Sequence, residues 1–366
     1  MKAMIDHVDR ISHSLMGDYE LLPDALCLQL LDQRLNIRSN SAALLERLRA
    51  YFAHVLVPPD DQPEAEVIAI ERDVVELKHA FTDWQREPGK TGRKDAIHDF
   101  VGGRLVRKVR TGMLFLQSQH RLIAAGPCLE HDNQVINFVN SQFLNSFQNQ
   151  GYLLCHAAAL SRDGYGLAIA GLSGGGKSTL MLNLLEDAAT RYVTNDRLLV
   201  RAQSSTVDAV GIPKLPRINP GTIVNNPRLH PLIDQSERLK LAQLDTQALW
   251  RLEQKYDVDI GALYGPGRVQ HQTKLQKFLV LNWQHDHTQK LQVMPAALEH
   301  RPELLAAIMK PSGPFFLDAD GRFNRDDALP HPAAYLAALQ NVEIFEACGR
   351  VDFADLGAVC LNELMA

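Results

Sequence analysis

The sequence predicts an α/β core preceded by a smaller α+β domain. Beyond about residue 130, apolar strands alternate with helical patterns, the texture of an α/β unit. Within that half a glycine-rich string sits between a strand pattern and a helix pattern. The length of 366 residues, at about 150 per domain, fits two domains rather than one. The division is therefore expected near residue 130, with an N-terminal domain over 1–130 and the core over 131–366.

Taken in order, residues 26–39 alternate apolar and polar positions like a hairpin. Leu44, Leu45, Leu48, Tyr51 and Phe52 then recur at helical spacing. Prolines and aspartates over 58–63 mark a loop, and strands are expected at 66–70, 104–109 and 113–117. A helix over 133–149 carries Val135, Phe138, Val139, Phe143 and Phe147 on one stripe. In the second half, strands are expected at 152–160, 166–170, 192–196, 275–283, 289–293 and 342–347. Helices are expected at 177–187, 333–339 and 353–364. The segment 213–267, rich in Pro, Asn and Arg, reads as a long loop with one polar helix over 235–256.

Composition narrows the function classes. Apolar residues make up 46% and charged residues 22%, which excludes a disordered, collagen-like or small disulfide-stapled chain. With 38 basic against 43 acidic side chains, the net charge of -5 gives no general attraction to nucleic acid or anionic lipid, so any phosphate binding is local. Five cysteines without a CxxC pair fit a reducing cytoplasm. Neither a signal peptide nor a run of 18 apolar residues is present, so no membrane span is expected.

The residues Gly171-Leu172-Ser173-Gly174-Gly175-Gly176-Lys177-Ser178-Thr179 match the phosphate loop, or Walker A pattern, G-x-x-x-x-G-K-[ST]. Small residues let successive backbone N–H groups turn toward a polyphosphate, and a helix N-terminus adds partial positive charge. Lys177 would reach the β- and γ-phosphates, and Ser178 would place its hydroxyl on Mg²⁺. Two similar strings fail. Gly89-Lys90-Thr91 has Trp84 where the first glycine belongs, and Leu172-Ser173-Gly174-Gly175 lies inside the loop itself.

Two further residues fall at strand ends, where ligands gather in an open α/β sheet: His156 before the loop and Asp196 after it. Asp196 has the chemistry of a metal ligand or of a general base for an attacking hydroxyl, and His156 that of a phosphate-orienting or base-assisting group. A capping aspartate and a hydrogen-bonded core histidine are the structural alternatives. Lys214 and Arg217 either stabilise a transferring phosphoryl group or decorate a proline-rich loop. His285-Asp286-His287 reads as a hairpin turn rather than a metal pair.

Over residues 151–200 the chain resembles the HPr kinase/phosphorylase superfamily, specifically its divergent, B-type HPr kinase-related members. The loop Gly171 to Ser178 and the spacing of His156 ahead of it match the family, and Asp196 matches the second, catalytic aspartate of its Asp-Asp pair. The strand at 275–283 and the C-terminal helix–strand–helix match loosely. Asn195 stands where the family has its first Asp. Ile212-Pro213-Lys214-Leu215-Pro216-Arg217 occupies the place of a glutamate-bearing segment. Pro266-Gly267-Arg268 spells the phosphorolysis tripeptide, but ahead of the 275–283 strand, and Arg268 reads as a surface turn residue. The resemblance implies a P-loop core of the HPr kinase/PEP carboxykinase-like type and a kinase that uses ATP and Mg²⁺. Gly171, Ser173, Gly174, Gly175, Gly176, Lys177, Ser178 and Thr179 would bind nucleotide, Ser178 and Asp196 the metal, and Asp196, His156 and Lys177 would act in transfer. The acceptor, protein or small molecule, has no sequence pattern, and self-association is left open. A nucleotide-binding regulatory module and a P-loop ATPase are the rival expectations.

Overall fold

The computed structural model describes residues 2–366 except 60–62, 87–91, 172–174, 246–247, 250–251, 253, 284–288, 326–327, 329 and 351. The chain forms two compact units, one of residues 1–151 with 311–330, the other of residues 152–310 with 331–366.

In the first unit β1 (Ala25–Leu30), β2 (Gln33–Ser39), β3 (Leu56–Val57), β4 (Ala65–Glu71), β5 (Thr82–Asp83), β6 (Asp95–Phe100), β7 (Gly103–Lys108), β8 (Leu114–Ser118) and β9 (Leu122–Gly126) make one sheet. Its order is β3-β1-β2-β4-β9-β8-β7-β6-β5. Helix α1 (Lys2–Met16) buries Val8, Ile11 and Leu15 with Ile70, Leu114 and Ile123. Helix α2 (Ala42–Tyr51) is capped by Ser41, whose side chain accepts from the Leu44 N–H. On helix α3 (Asp132–Asn149), Phe138 meets Phe115 and Phe315. Buried Arg104 bonds Asp99 at 2.5 Å, lies over the rings of Trp84 and Phe323, and donates to the Pro314 carbonyl. Phe315 and the Pro314 and Phe323 contacts tie segment 311–330 to this unit.

The second unit holds β10 (Leu153–Cys155), β11 (Ala157–Arg162), β12 (Tyr165–Gly171), helix α4 (Lys177–Leu184), β13 (Thr190–Thr194), β14 (Leu198–Ala202) and β15 (Val207–Gly211). There follow the short pair β16 (Arg217–Ile218) and β17 (Tyr256–Asp257), then β18 (Gln272–Leu281), β19 (Gln292–Pro295) and β20 (Glu343–Cys348). The long β18 is central. It runs parallel to β12 over Leu275–Leu281 and to β20 over Lys277–Leu281, while Gln272–Lys274 pair antiparallel with β15. Alternation sorts its side chains: Leu279 and Leu281 join Leu167, Ile169, Leu180 and Leu356 in one core, and Phe278 and Val280 join Ala168, Leu305 and Tyr335 in the other. Helices cover both faces, which is why these strands read as continuous apolar runs.

The fold is thus mixed α/β, with differences from the sequence reading that have physical causes. Helix α3 buries its aromatic stripe within the first unit, so the division falls after Gly151 rather than near 130, and segment 311–330 belongs to the first unit as well. The expected strand over 152–160 is two strands joined at His156. Within the expected helix over 235–256, Gln235–Ala242 is helical, residues 248–249 are helical again after a break, 246–247, 250–251 and 253 lie outside the described residues, and Tyr256 begins β17. Most pairings around β11, β13, β14 and β15 are antiparallel, which apolar runs alone do not reveal. Helix α1 and strands β6, β9, β14 and β15 are among the additional elements. Arg268 is no surface turn residue. Its guanidinium donates to the carbonyls of Leu185, Asp187 and Thr190, gathering the chain between α4 and β13, and burial lowers its pKa. Among the described residues no helix is long and apolar enough to cross a membrane.

Gly211 closes β15 where a Cβ would lie 1.9 Å from the Val193 carbonyl oxygen. Backbone cannot yield as a side-chain tip does, so Gly211→Ala is expected to cost about 1–3 kcal/mol, the range for overpacking. Urea unfolding checks this, with Gly313→Ala, which meets nothing within 4 Å, leaving the midpoint unchanged.

Candidate functional site

Strand register assembles the site. Cys155 pairs with Leu198 and Leu198 with Gly211, so the end of β10, the start of β14 and the end of β15 lie side by side. Ala157 pairs with Ala170, and Ala159 with Thr194, so the start of β11 lies beside the ends of β12 and β13. His156 stands between these two groups, its backbone N–H donating to the Ile308 carbonyl at 2.7 Å. Asp196 sits in the turn after β13, closed by the Thr194 hydroxyl donating to the Arg197 carbonyl. His156 Nε2 and Asp196 Oδ1 meet at 3.0 Å.

The candidate phosphate loop leaves β12 and enters α4. Gly176 precedes the helix with φ +83°, and a Cβ there would lie 2.2 Å from the Phe353 ring, so both backbone angle and space call for glycine. The Trp283 indole N–H donates to the Gly175 carbonyl at 2.9 Å, and Trp283 and Phe353 meet edge to face. Lys177 Nζ donates to the Gly171 carbonyl at 2.9 Å. The Thr179 hydroxyl lies 3.2 Å from that of Thr222, joining α4 to helix Pro220–Val224.

His156, Gly175, Gly176, Lys177, Ser178, Thr179 and Asp196 all line one cavity of about 820 Å³, within the range of small-molecule sites. Gly171 stands outside the lining and touches Lys177. Ser173 and Gly174 lie outside the described residues, as do Lys90 and His285-Asp286-His287. Lys214 and Arg217, for which a loop-decorating role was the alternative, line the cavity too. Four contributors carried no sequence signal of their own: Arg197, Lys310, Trp283 and Phe353. Trp283 had an indirect one, since the parallel pairing of Gly171 with Leu281 puts it just past the same strand edge.

Charge dominates the interior. Burial opposes ionisation of Asp196, but the His156 hydrogen bond and the charges of Lys310 and Arg197 overcome it and hold the carboxyl well below its usual range. Burial pushes Lys177 down to about 8, Asp196 opposing and Lys310 adding to the shift. Burial, with Arg197, Arg217 and Lys310 nearby, pushes Lys214 down to about 7, against the pull of Asp196. Among the described residues no group of three or more His, Cys, Asp or Glu could hold a metal. Mg²⁺ keeps several waters and takes one or two protein oxygens beside substrate phosphates. The Ser178 hydroxyl and the Asp196 carboxylate, both on the cavity lining, are oxygen donors of the kind such an ion takes.

No family model and no curated protein matches the chain. Among solved structures it is similar to the HPr(Ser) kinase/phosphatase from Coxiella burnetii, at 11% identity and a TM-score of 0.30 over 58% of this chain and 96% of that one.

Lys214 sets a pH dependence. Below about 7 it is charged folded and unfolded, and the native state bears its full desolvation cost. Between about 7 and 10.5 the unfolded chain binds the extra proton, so stability rises with pH across that window. Lys214→Met is expected to flatten this rise in urea midpoints measured from pH 6 to 10.

Proposed function

We propose that the chain is an ATP-dependent phosphotransferase with a P-loop core of the HPr kinase-like type, passing the γ-phosphate to a hydroxyl. The observation that carries this reading is that Lys177 and Ser178, at the start of a helix entered through a glycine-rich loop, line one cavity with the His156–Asp196 pair. The first N–H groups of α4 and the charge of Lys177 suit a polyphosphate. Asp196 suits the incoming hydroxyl.

In the proposed step the acceptor oxygen bonds to the γ-phosphorus as the bond to the β,γ-bridging oxygen breaks. ADP departs with that electron pair, and the hydroxyl proton passes to Asp196. A carboxylate held ionised over the working pH range is a weak base, which suits a loose phosphoryl-transfer transition state where the proton moves late. His156 fixes the carboxylate through Oδ1, leaving Oδ2 for the hydroxyl or the metal. Ser178 and Asp196 are the residues that would hold a Mg²⁺ ion carried on the nucleotide, which would neutralise the phosphate oxygens. Asn195 beside Asp196 supplies no second acid, and Asp196 is the one carboxylate among the described lining residues. That observation favours, as a second reading, a nucleotide-binding regulatory module with little turnover.

Purified protein with Mg²⁺ and γ-labelled ATP, alone and with extracts or metabolite pools, separates transfer, phosphate release and binding alone. Lys177→Ala is expected to weaken ATP binding about 10–100-fold, the worth of one charged hydrogen bond, and normal binding would remove the loop assignment. Asp196→Asn is expected to slow transfer about 10²–10⁴-fold while ATP affinity changes less than tenfold. Unchanged transfer would sink the base assignment.

A further inference from the structure

Resting on the phosphotransferase reading, we propose that Trp283 is a positioning residue for the nucleotide: by binding the Gly175 carbonyl, its indole aims the Gly176 N–H at the cavity where the phosphates bind. Trp283 touches no substrate in this assignment and acts through a single peptide unit.

The geometry of that unit carries the argument. The Trp283 indole N–H donates to the Gly175 carbonyl oxygen at 2.9 Å. Among the described residues no peptide bond is cis, and in a planar trans peptide the C=O of one residue and the N–H of the next point in opposite directions. A carbonyl turned to the indole therefore turns the Gly176 N–H away from it. Gly175 and Gly176 both line the cavity, whereas Trp283 is not among the described lining residues, so the indole stands behind the loop and the cavity in front of it.

The residue types make such a hold necessary. The peptide lies between two glycines, and glycine takes φ of either sign at little cost, so this unit turns over more readily than one flanked by side chains. Turned over, it would present its carbonyl oxygen to a polyphosphate, and two partial negative charges would meet. Gly176 is the N-cap residue of α4 and has no side chain with which to hold its own peptide. One hydrogen bond to the Gly175 carbonyl selects the orientation in which the N–H faces the ligand.

The indole is itself braced. Phe353 meets it edge to face, ring centroids 6.1 Å apart, and lies against Gly176, where a Cβ would come within 2.2 Å of the ring. Phe353 opens the helix Phe353–Val359, whose N-cap Asp352 accepts from the N–H groups of Ala354 and Asp355 at 2.8 and 3.2 Å. That helix approaches α4 so closely that a Cβ on Gly357 would lie 2.6 Å from Asn183 Oδ1. The indole thus rests on a ring anchored against the same helix that the loop enters.

The test removes the donor and keeps the ring. Three full-length proteins are compared: the parent, Trp283→Phe, and protein carrying 3-benzothienylalanine at position 283, an indole isostere with sulfur in place of N–H. Each is titrated with Mg²⁺ and adenylyl imidodiphosphate by calorimetry, and association and dissociation rates are measured by stopped flow with a fluorescent form of the analogue. Both changes are expected to weaken binding about 3–10-fold, the worth of one neutral hydrogen bond. The loss is expected in the association rate, with dissociation changed less than twofold. Without the indole N–H a smaller fraction of molecules has the peptide in the competent orientation, whereas a bound phosphate holds the N–H by itself. A purely structural loss of packing has no reason to spare dissociation. The isostere keeps the shape of the ring, so its result decides the matter if the Phe variant fails to fold. Weakening of less than threefold by the isostere, or weakening carried by faster dissociation, overturns the inference and leaves the phosphotransferase reading intact. Failure of the parent to bind the analogue overturns that reading, and the role of Trp283 with it.

Discussion

The second unit turns on one short joint, the passage from β10 to β11 through His156. Cys155 belongs to the pairing with β14, Ala157 to the pairing with β12, and the residue between them cannot follow either ladder. Its N–H is instead taken by the carbonyl of Ile308 at the end of helix Pro302–Ile308, which satisfies a donor that would otherwise be buried and fixes the backbone from outside the sheet. The imidazole then reaches Asp196 in the turn after β13. Loss of that joint would disturb two strand ladders and the candidate base together, because one residue holds them in register.

Electrostatics follows from this packing. Asp196 lies among His156, Lys310 and Arg197, and their combined attraction outweighs the cost of taking its charge out of water. The lysines show the opposite balance: Lys177 and Lys214 gain from Asp196 less than burial and neighbouring cations cost them. Among the described lining residues Asp196 is the one acid, and its charge opposes the lowering of both lysines. The net charge of -5 thus coexists with one cavity whose described lining includes Lys177, Arg197, Lys214, Arg217 and Lys255, so overall balance says little about the local field.

The legible parts of the sequence were those with local periodicity. The hairpin β1–β2, helices α2 and α3, and the strand–loop–helix through Lys177 repeat at period 2 or 3.6, and local spacing specifies them. His156 and Asp196 were legible as strand-end residues, and their contact was not, since it depends on a bulged β11–β13 register between residues far apart in sequence. The polar 235–256 pattern ran together what the structure interrupts, because helical propensity is weak evidence without an apolar face: the helix begun at Gln235 ends at Ala242, and Tyr256 pairs with Ile218. Arg268 misled for a related reason: Pro-Gly-Arg describes a turn correctly and says nothing of three carbonyls brought to the guanidinium from elsewhere. The placement of segment 311–330 in the first unit had no local signal, because Pro314, Phe315 and Phe323 find partners about two hundred residues earlier.

The loop before α4 depends on the C-terminal part of the chain in a way that bears on how the site works. Gly175 is held through its carbonyl by Trp283, which follows β18, and Gly176 is crowded by Phe353, which begins the helix after β20. Both β18 and β20 run parallel to β12, so the three strands deliver their following residues to the same edge. Two aromatic groups in mutual edge-to-face contact thereby limit where the loop's last glycines can move. A phosphate-binding loop works by offering N–H groups already aimed at the ligand, and ordering them on binding would consume affinity. The parallel trio β12–β18–β20 therefore does more than fill the core: it carries the brace that keeps the start of α4 oriented toward the cavity, while the antiparallel strands β11 and β13 independently carry the His156–Asp196 pair to its wall.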